Sequence, residues 1–522
     1  MRVRTVRLAL LTGLLALPVA AVTAEGEAPH QRPDFTRMTD AELSKAYTSA
    51  AERRESDWCG FMLPLYSQME NRGSFNPNIK YFRALTEMQC ALTEQRWTDA
   101  YQKLKYVQSQ GGIDLGELAF VDIAGLAGDR AAASAHLLAF LETPEAGGQE
   151  EVLARSTGQL LRSYRTAKDF DGALTLMRAL QDPQRIGKFN EDVQISFRSD
   201  LFAAEVEAGN FERAREQVEG VGSADSVVAA LGDRRFEPLW PQLEAKAGPH
   251  LHKLLDAELA RAIARQKAEP DNLRAFQELA TSYLRNARFE DVITLVDTRQ
   301  PDDFAGLSED MGWALNAKVY ALDALGRHDE AADIFDRIVE QPYDPAQSGW
   351  MVNFAINRGS RLVDLGQYEK GLKAADYAGR IADRSGSDYA RMLVRYDKIC
   401  ALTALGRAEE AKAVMAEVED HLDESVTVAA SALLCGGAEE RAAEIVRREL
   451  GDQYGAMSMA TALQRPEFDF YYIHSVRPSL AQRIRPRPDV APIFEKVARD
   501  IPLEFATPFG MRREELAGAA TP

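Results

Sequence analysis

The sequence predicts an all-α chain of antiparallel helix hairpins, an α-solenoid, and three observations predict it. A phrase recurs along most of the 522 residues: a small residue, then usually Ala five positions later and an apolar residue nine positions later. Anchored on Gly326 it reads LGRHDEAADIF, on Gly366 LGQYEKGLKAA with Gly371 in place of the Ala, on Gly406 LGRAEEAKAVM and on Gly209 AGNFERAREQV. Weaker copies sit at Gln95, Gly128, Lys168, Ala287 and Gly437. Second, apolar residues before the anchors follow the helical period, as in WALNAKVYALDALG (313–326). Third, successive anchors lie 33, 40, 41, 78, 39, 40, 40 and 31 residues apart. A small residue ends the first helix, where a left-handed backbone is easiest. Ala sits where two helices approach closely, and the apolar residue four positions on shares its face. Such a repeat fixes the architecture before any motif is considered.

The elements follow in chain order. Arg2, Arg4 and Arg7 precede LALLTGLLALPVAAV, and Val22 and Ala24 are small residues at −3 and −1 of a cleavage site. Residues 1–24 therefore form a signal peptide, too short and too poorly flanked for a stable membrane anchor. No Cys stands near the cleavage site, so a lipoprotein is not expected. Export to the periplasm is preferred over full secretion, because nothing looks like a wall or surface anchor. Residues 25–39 are a flexible lead. Helical pattern begins at TDAELSKAYTSAAERR, with Thr39 or Asp40 as cap, and a first solenoid run covers 40–230. In 231–250, LGDRRFEPLWPQLEAKAGPH keeps the Leu-Gly anchor but sets Pro238 and Pro241 where a second helix should run. That is a degenerate repeat or bend. A second run covers 251–455. Residues 456–506, aromatic and Pro-rich, form a capping segment for the last apolar face. Its Phe468, Phe470, Tyr471 and Tyr472 are alternatively a ligand-contact patch. Residues 507–522 are a flexible tail.

The pattern resembles the tetratricopeptide repeat (TPR). In EPDNLRAFQELATSYLRNARFEDVITLV (269–296), Pro270 breaks one helix and Asn272 opens the next. Ala280, Tyr283 and Phe289 fall near family positions, and 313–342 matches as well, ending at Pro342. The resemblance spans 81–450. A period of roughly 40 residues against the family's roughly 34 implies longer helices or connecting loops.

Composition narrows the function classes. A hydrophobic content of 46% with 27% charged residues is ordinary for a core-forming chain. The net charge of −18 argues against a nucleic-acid partner. Losing the three leader arginines would take it to −21. The acids interleave with Lys and Arg, as in RAEEAKAVMAEVED, which describes a solvated helical face. Four cysteines suit an oxidising compartment. Of the three possible connectivities, Cys59–Cys90 and Cys400–Cys435 alone avoid spanning the whole solenoid; four buried thiols are the alternative.

Catalytic signals are lacking. HExxH, GxSxG, GxxxxGK and a strand followed by GxGxxG are all absent. His250 and His252, the closest histidine pair, point to different sides of a helix, and among 80 acidic residues no pair stands out for acid–base work. No cofactor or metal is expected.

The resemblance implies a binding groove lined by residues about 13, 10, 6 and 3 places before each anchor. Around Lys168 these are Arg155, Gly158, Arg162 and Arg165, suited to a carboxylate or phosphate. Around Gly326 they are Trp313, Asn316, Tyr320 and Asp323. Around Gly366, Asn353 holds one place, and Asn357 and Arg361 share its face. Aromatic and amide groups of this kind suit an extended peptide. The Lys/Asn clamp of co-chaperone relatives is missing as a set, so their ligands are not carried over. The alternative is that these residues solvate the groove or pair with acids on a neighbouring repeat. The expected function is a non-catalytic scaffold or adaptor of the bacterial cell envelope that binds a protein or peptide. A self-associating framework is one alternative. A hydrolase or glycan-processing enzyme, using His474 or nearby acids, is another.

Overall fold

A computed structural model describes residues 33–52, 58–73, 75, 78–110, 116–345, 348–452, 455–469 and 475–510. Residues 1–24, read from the sequence as a signal peptide, and residues 25–32 and 511–522 lie outside them. The fold is all-α, a TPR-like run of antiparallel helix hairpins. The only pairing of strand type among the described residues is an isolated bridge, Asp233 to Ala498. Contacts divide the chain into two compact units, Met1–Ala204 and Glu205–Pro522, whereas the sequence reading sets its bend at 231–250. Among the described residues no helix is long and apolar enough to cross a membrane.

The first unit opens with α1 (Asp40–Glu52). Thr39 N donates to Glu42 Oε2 at 2.7 Å and Glu42 N to Thr39 Oγ1 at 3.3 Å, a reciprocal capping box. The lead is not wholly loose: Phe35 is buried and meets Phe61 edge to face at 5.2 Å. Helix α2 (Trp58–Arg72) is joined to α3 (Ile79–Thr93) by the Cys59–Cys90 disulfide. Hairpins follow with α4 (Trp97–Ser109), α5 (Glu117–Leu126), α6 (Arg130–Leu141), α7 (Glu150–Thr166) and α8 (Phe170–Leu180). One-turn α9 (Pro183–Ile186) and long α10 (Glu191–Glu207) complete the set. Their shared core holds Ala100, Ala133 and Ala173 with Leu104, Leu137 and Met177, the fifth and ninth residues of the repeated phrase. Each large side chain so buried contributes about 2 kcal/mol.

The second unit begins with α11 (Phe211–Gln217), α12 (Ala224–Gly232), α13 (Trp240–Ala247) and α14 (His252–Ala268). Regular hairpins then pair α15 (Leu273–Arg285) with α16 (Phe289–Asp297) and α17 (Glu309–Ala324) with α18 (His328–Val339). Next come α19 (Met351–Asp364), α20 (Tyr368–Ser385), α21 (Asp388–Ala404), α22 (Ala408–Asp420), α23 (Val426–Cys435) and α24 (Glu439–Leu450). Cys400–Cys435 joins α21 to α23. In the bend, Pro238 lies in a 3-10 turn and Pro241 in the first turn of α13, where a missing N–H is harmless.

Every anchor of the repeat has a left-handed φ, from 53° at Ala287 to 85° at Gly128. At Gly326 the turn is closed by Arg327 N to Leu322 O at 2.8 Å and Gly326 N to Asp323 O at 3.0 Å, a glycine C-cap. Gly371 replaces the usual Ala for a visible reason. A Cβ there would stand 2.6 Å from Val363 Cγ2.

Residues 456–510 add α25 (Ala456–Ala462), α26 (Leu480–Arg483) and α27 (Ala491–Val497) to the second unit. Leu480, Ile484, Val490 and Phe494 share one core with Ile445 and Val446 of α24. The same segment reaches the opening of its unit: Arg499 N donates to Gly232 O at 2.9 Å, and its guanidinium lies 3.6 Å from the Trp240 ring centroid. Residues 507–510, read from sequence as part of the flexible tail, are packed instead. Thr507 and Phe509 are 0% exposed, and Phe509 meets Phe289 edge to face at 5.5 Å. Their apolar and hydroxyl groups find partners that lie far away in the chain.

Candidate functional site

The second predicted set lies on two neighbouring helices. Gly312 lets α17 and α19 approach closely, since a Cβ there would stand 2.9 Å from the Trp350 ring. Trp313, Tyr320, Asn353 and Asn357 are all half-buried. Trp313 packs on Phe354 with centroids 5.0 Å apart and donates Nε1–H to Glu309 at 3.3 Å. Asn357 Nδ2 donates to Asn316 Oδ1 at 3.2 Å, with Asn316 itself buried. Arg361 has a different position from an open groove contact. It is 7% exposed and grips Asp323 through Nε at 2.5 Å and Nη2 at 2.6 Å, with a further bond to His328 O at 2.9 Å. Asn316, Arg361 and Asp323 thus fix the two helices, and the other four side chains remain partly open.

In the first unit, α7 and α10 enclose a cleft of about 320 Å³. Gly158, Arg162 and Arg165 line one wall and Ser196, Phe197 and Asp200 the other. Arg165 Nη2 donates to Asp200 Oδ2 at 3.1 Å. Burial pushes the Asp200 carboxyl above its usual range, against the pull of Arg165. Arg155 does not line the cleft. It is exposed and acts electrostatically on Asp122 of α5, whose carboxyl burial also pushes up. Gly158 sits in a helix interior, where Gly costs about 1 kcal/mol against Ala.

A third cluster escaped the sequence reading. Arg477 lies over the Tyr396 ring at 4.6 Å and donates Nη1–H to Asp397 at 2.8 Å and Nη2–H to Ser360 O at 2.7 Å. Its Nε is 2.9 Å from Asp364 Oδ1. Ser360 Oγ donates to both Asp397 oxygens, and Ser475 Oγ donates to Asp364. Burial pushes Asp397 up to about 6, opposed by Arg477 and Ser360. Burial disfavours the Arg477 cation too, but Asp397 and Asp364 outweigh it and raise its pKa. Ser360 lies six places before Gly366 and Tyr396 ten before Gly406, places that the repeat resemblance assigns to a groove, and here both meet the chain's own Arg477. Asp397 is 1% exposed and offers no face to a substrate. The phrases FEPLWPQL (236–243) and VAPIFEKV (490–497) match in apolar, Pro, apolar and aromatic order. The two copies lie side by side, with Arg234 Nε donating to Glu495 O at 2.5 Å.

Phe470, Tyr471, Tyr472 and His474 lie outside the described residues; Phe468 is buried. His250 and His252 diverge, His250 Nδ1 donating to Ala506 O at 3.3 Å and His252 Nδ1 to Pro249 O at 2.8 Å.

No family model matches the chain, and no curated protein does. Among solved structures, the chain is similar to one described as the crystal structure of the APC/C hetero-tetramer Cut9–Hcn1. The identity is 11% and the TM-score 0.16, over 75% of this chain and 97% of that one. A likeness of that size carries no functional argument, so the functional reading rests on the chain's own surfaces.

Proposed function

We propose that this protein is a non-catalytic scaffold of the bacterial cell envelope that holds a segment of a partner protein against the α17–α19 face. The observation that carries the reading is the row of half-buried Trp313, Tyr320, Asn353 and Asn357 on adjacent helices. Side-chain amides there can bond a partner's backbone while the aromatic rings cover its apolar side chains. Asn316 beneath Asn357, and Arg361 gripping Asp323, hold the surface in one geometry before binding, which reduces the ordering cost of association. Export is supported by the signal-peptide pattern of residues 1–24 and by the two disulfides, which persist in oxidising compartments.

The test is in-cell crosslinking followed by affinity capture of the tagged protein, with Tyr320→Ala and Asn353→Ala compared with wild type. Loss of one dominant partner at least tenfold, with the melting temperature held, is the expected result. Equal capture by wild type and variants would remove the α17–α19 face from the account. Capture of the chain's own copies alone would favour a self-associating framework.

A further inference from the structure

We infer that the α7–α10 cleft of the first unit is a receptor for an acidic segment of a partner protein, taking one Asp or Glu carboxylate between Arg162 and Arg165. The site lies in the other unit from the α17–α19 face and stands or falls independently of it.

Gly158 is the first argument. Glycine weakens a helix interior, and such a residue usually has a packing reason. Elsewhere in this chain the reason is evident: a Cβ at Gly172 would lie 2.5 Å from the Tyr164 ring, and one at Gly371 would lie 2.6 Å from Val363. At Gly158 a Cβ would meet only the far end of Arg162, Nη1 at 3.6 Å, an ordinary contact. Packing within the unit therefore does not demand glycine. What the missing side chain leaves is open volume in the cleft.

Charge is the second argument. Arg162 and Arg165 line the cleft one helical turn apart and Asp200 lines it from α10, so the cleft carries two guanidinium groups against one carboxylate. The pair Arg165–Asp200 holds one guanidinium in place, and Arg162 is exposed beside it. An excess of a single positive charge matches a monoanionic carboxylate. A phosphate dianion would meet Asp200 as a like charge. The walls supply the rest: Val193, Leu161 and Phe197 are apolar enough for the methylenes of Glu, and Ser196 adds a hydroxyl. About 320 Å³ is at the small end of ligand sites, room for one or two side chains.

The experiment uses the full chain after removal of its leader and a fluorescein-labelled Gly-Ser-Glu-Glu-Ser-Gly peptide, read by anisotropy. Expected are binding at least tenfold tighter than to the same peptide with Gln for Glu, and a loss of tenfold or more in Arg162→Gln. Gly158→Leu is the decisive variant. It should weaken the peptide by tenfold or more while the melting temperature stays level or rises by about 2 °C, because helix propensity improves. A fall in melting temperature with Gly158→Leu would make the glycine a packing residue and overturn the proposal. So would equal binding of the Gln peptide, or stronger competition by inorganic phosphate than by acetate. Sedimentation that shows self-association abolished by Arg162→Gln would assign the cleft to a second copy and likewise overturn it.

Discussion

Arg477 and Asp397, eighty residues apart in the chain, form a 2.8 Å ion pair with both side chains buried. The pair fastens the segment after α25 to α19 and α21. Asp364 and Ser360 complete the cage, so the guanidinium has a partner on each side. A buried pair of this kind is weak evidence for net stability, because desolvation offsets much of the attraction. Removing one partner is a different matter.

Arg477→Met should cost about 3–5 kcal/mol, since Asp364 and Asp397 would be left buried without their cation. Urea unfolding of the purified protein measures it. A change under about 1 kcal/mol would mean that the cluster does not hold the segment.

The same cluster gives a pH signature. Burial holds Asp397 at about 6, above its ordinary value of 3.8, so the folded chain keeps a proton that the unfolded chain has released. The contribution of this group is therefore greatest below about pH 4 and is lost as pH rises through about 6. Its size is at most about 3 kcal/mol, the free-energy equivalent of that displacement. Asp397→Asn should flatten the difference in stability between pH 4 and pH 7, seen in paired urea titrations. A slope unchanged by the substitution would show that Asp397 does not titrate in that range.

Ala287 has φ 53° at a repeat anchor where most copies carry Gly. A left-handed backbone strains an L-residue by about 1–2 kcal/mol. Ala287→Gly should therefore stabilise the protein by about 1 kcal/mol, less the extra entropy Gly gives the unfolded chain. Gly326→Ala should do the reverse. Thermal melts of the two variants test both signs.

Reducing the disulfides should destabilise each unit. Cys59–Cys90 and Cys400–Cys435 close loops of 31 and 35 residues in sequence separation. By loop entropy each contributes about 3–4 kcal/mol. Melting with and without reductant, then in Cys59→Ala/Cys90→Ala and Cys400→Ala/Cys435→Ala pairs, separates the two contributions.

The hairpins were legible because the repeat is local. A positive φ at one residue and a close helix contact five residues later both act within a single turn and its flanking helices. The two proposed partner faces were legible only in part. Trp313, Tyr320, Asn353 and Asn357 remain half-open where the repeat position puts them, but Arg361, in the same register, turns inward to Asp323. Helical period assigns a face; it does not say which charges a neighbouring helix will present. Arg155 shows the same limit: it lies outside the cleft that Arg162 and Arg165 line and acts electrostatically on Asp122 of a third helix, α5.

The all-α repeat, its turns and the small residues at its closest contacts could be read from local order alone, since they follow from backbone sterics over a few residues. That Arg477 meets Ser360 and Tyr396, that Thr507 and Phe509 are buried and that Gly158 lines a cleft emerges in the folded chain alone. Those outcomes depend on side chains from distant segments meeting in space, where desolvation and packing, neither visible in local order, choose among positions the chain alone leaves equivalent.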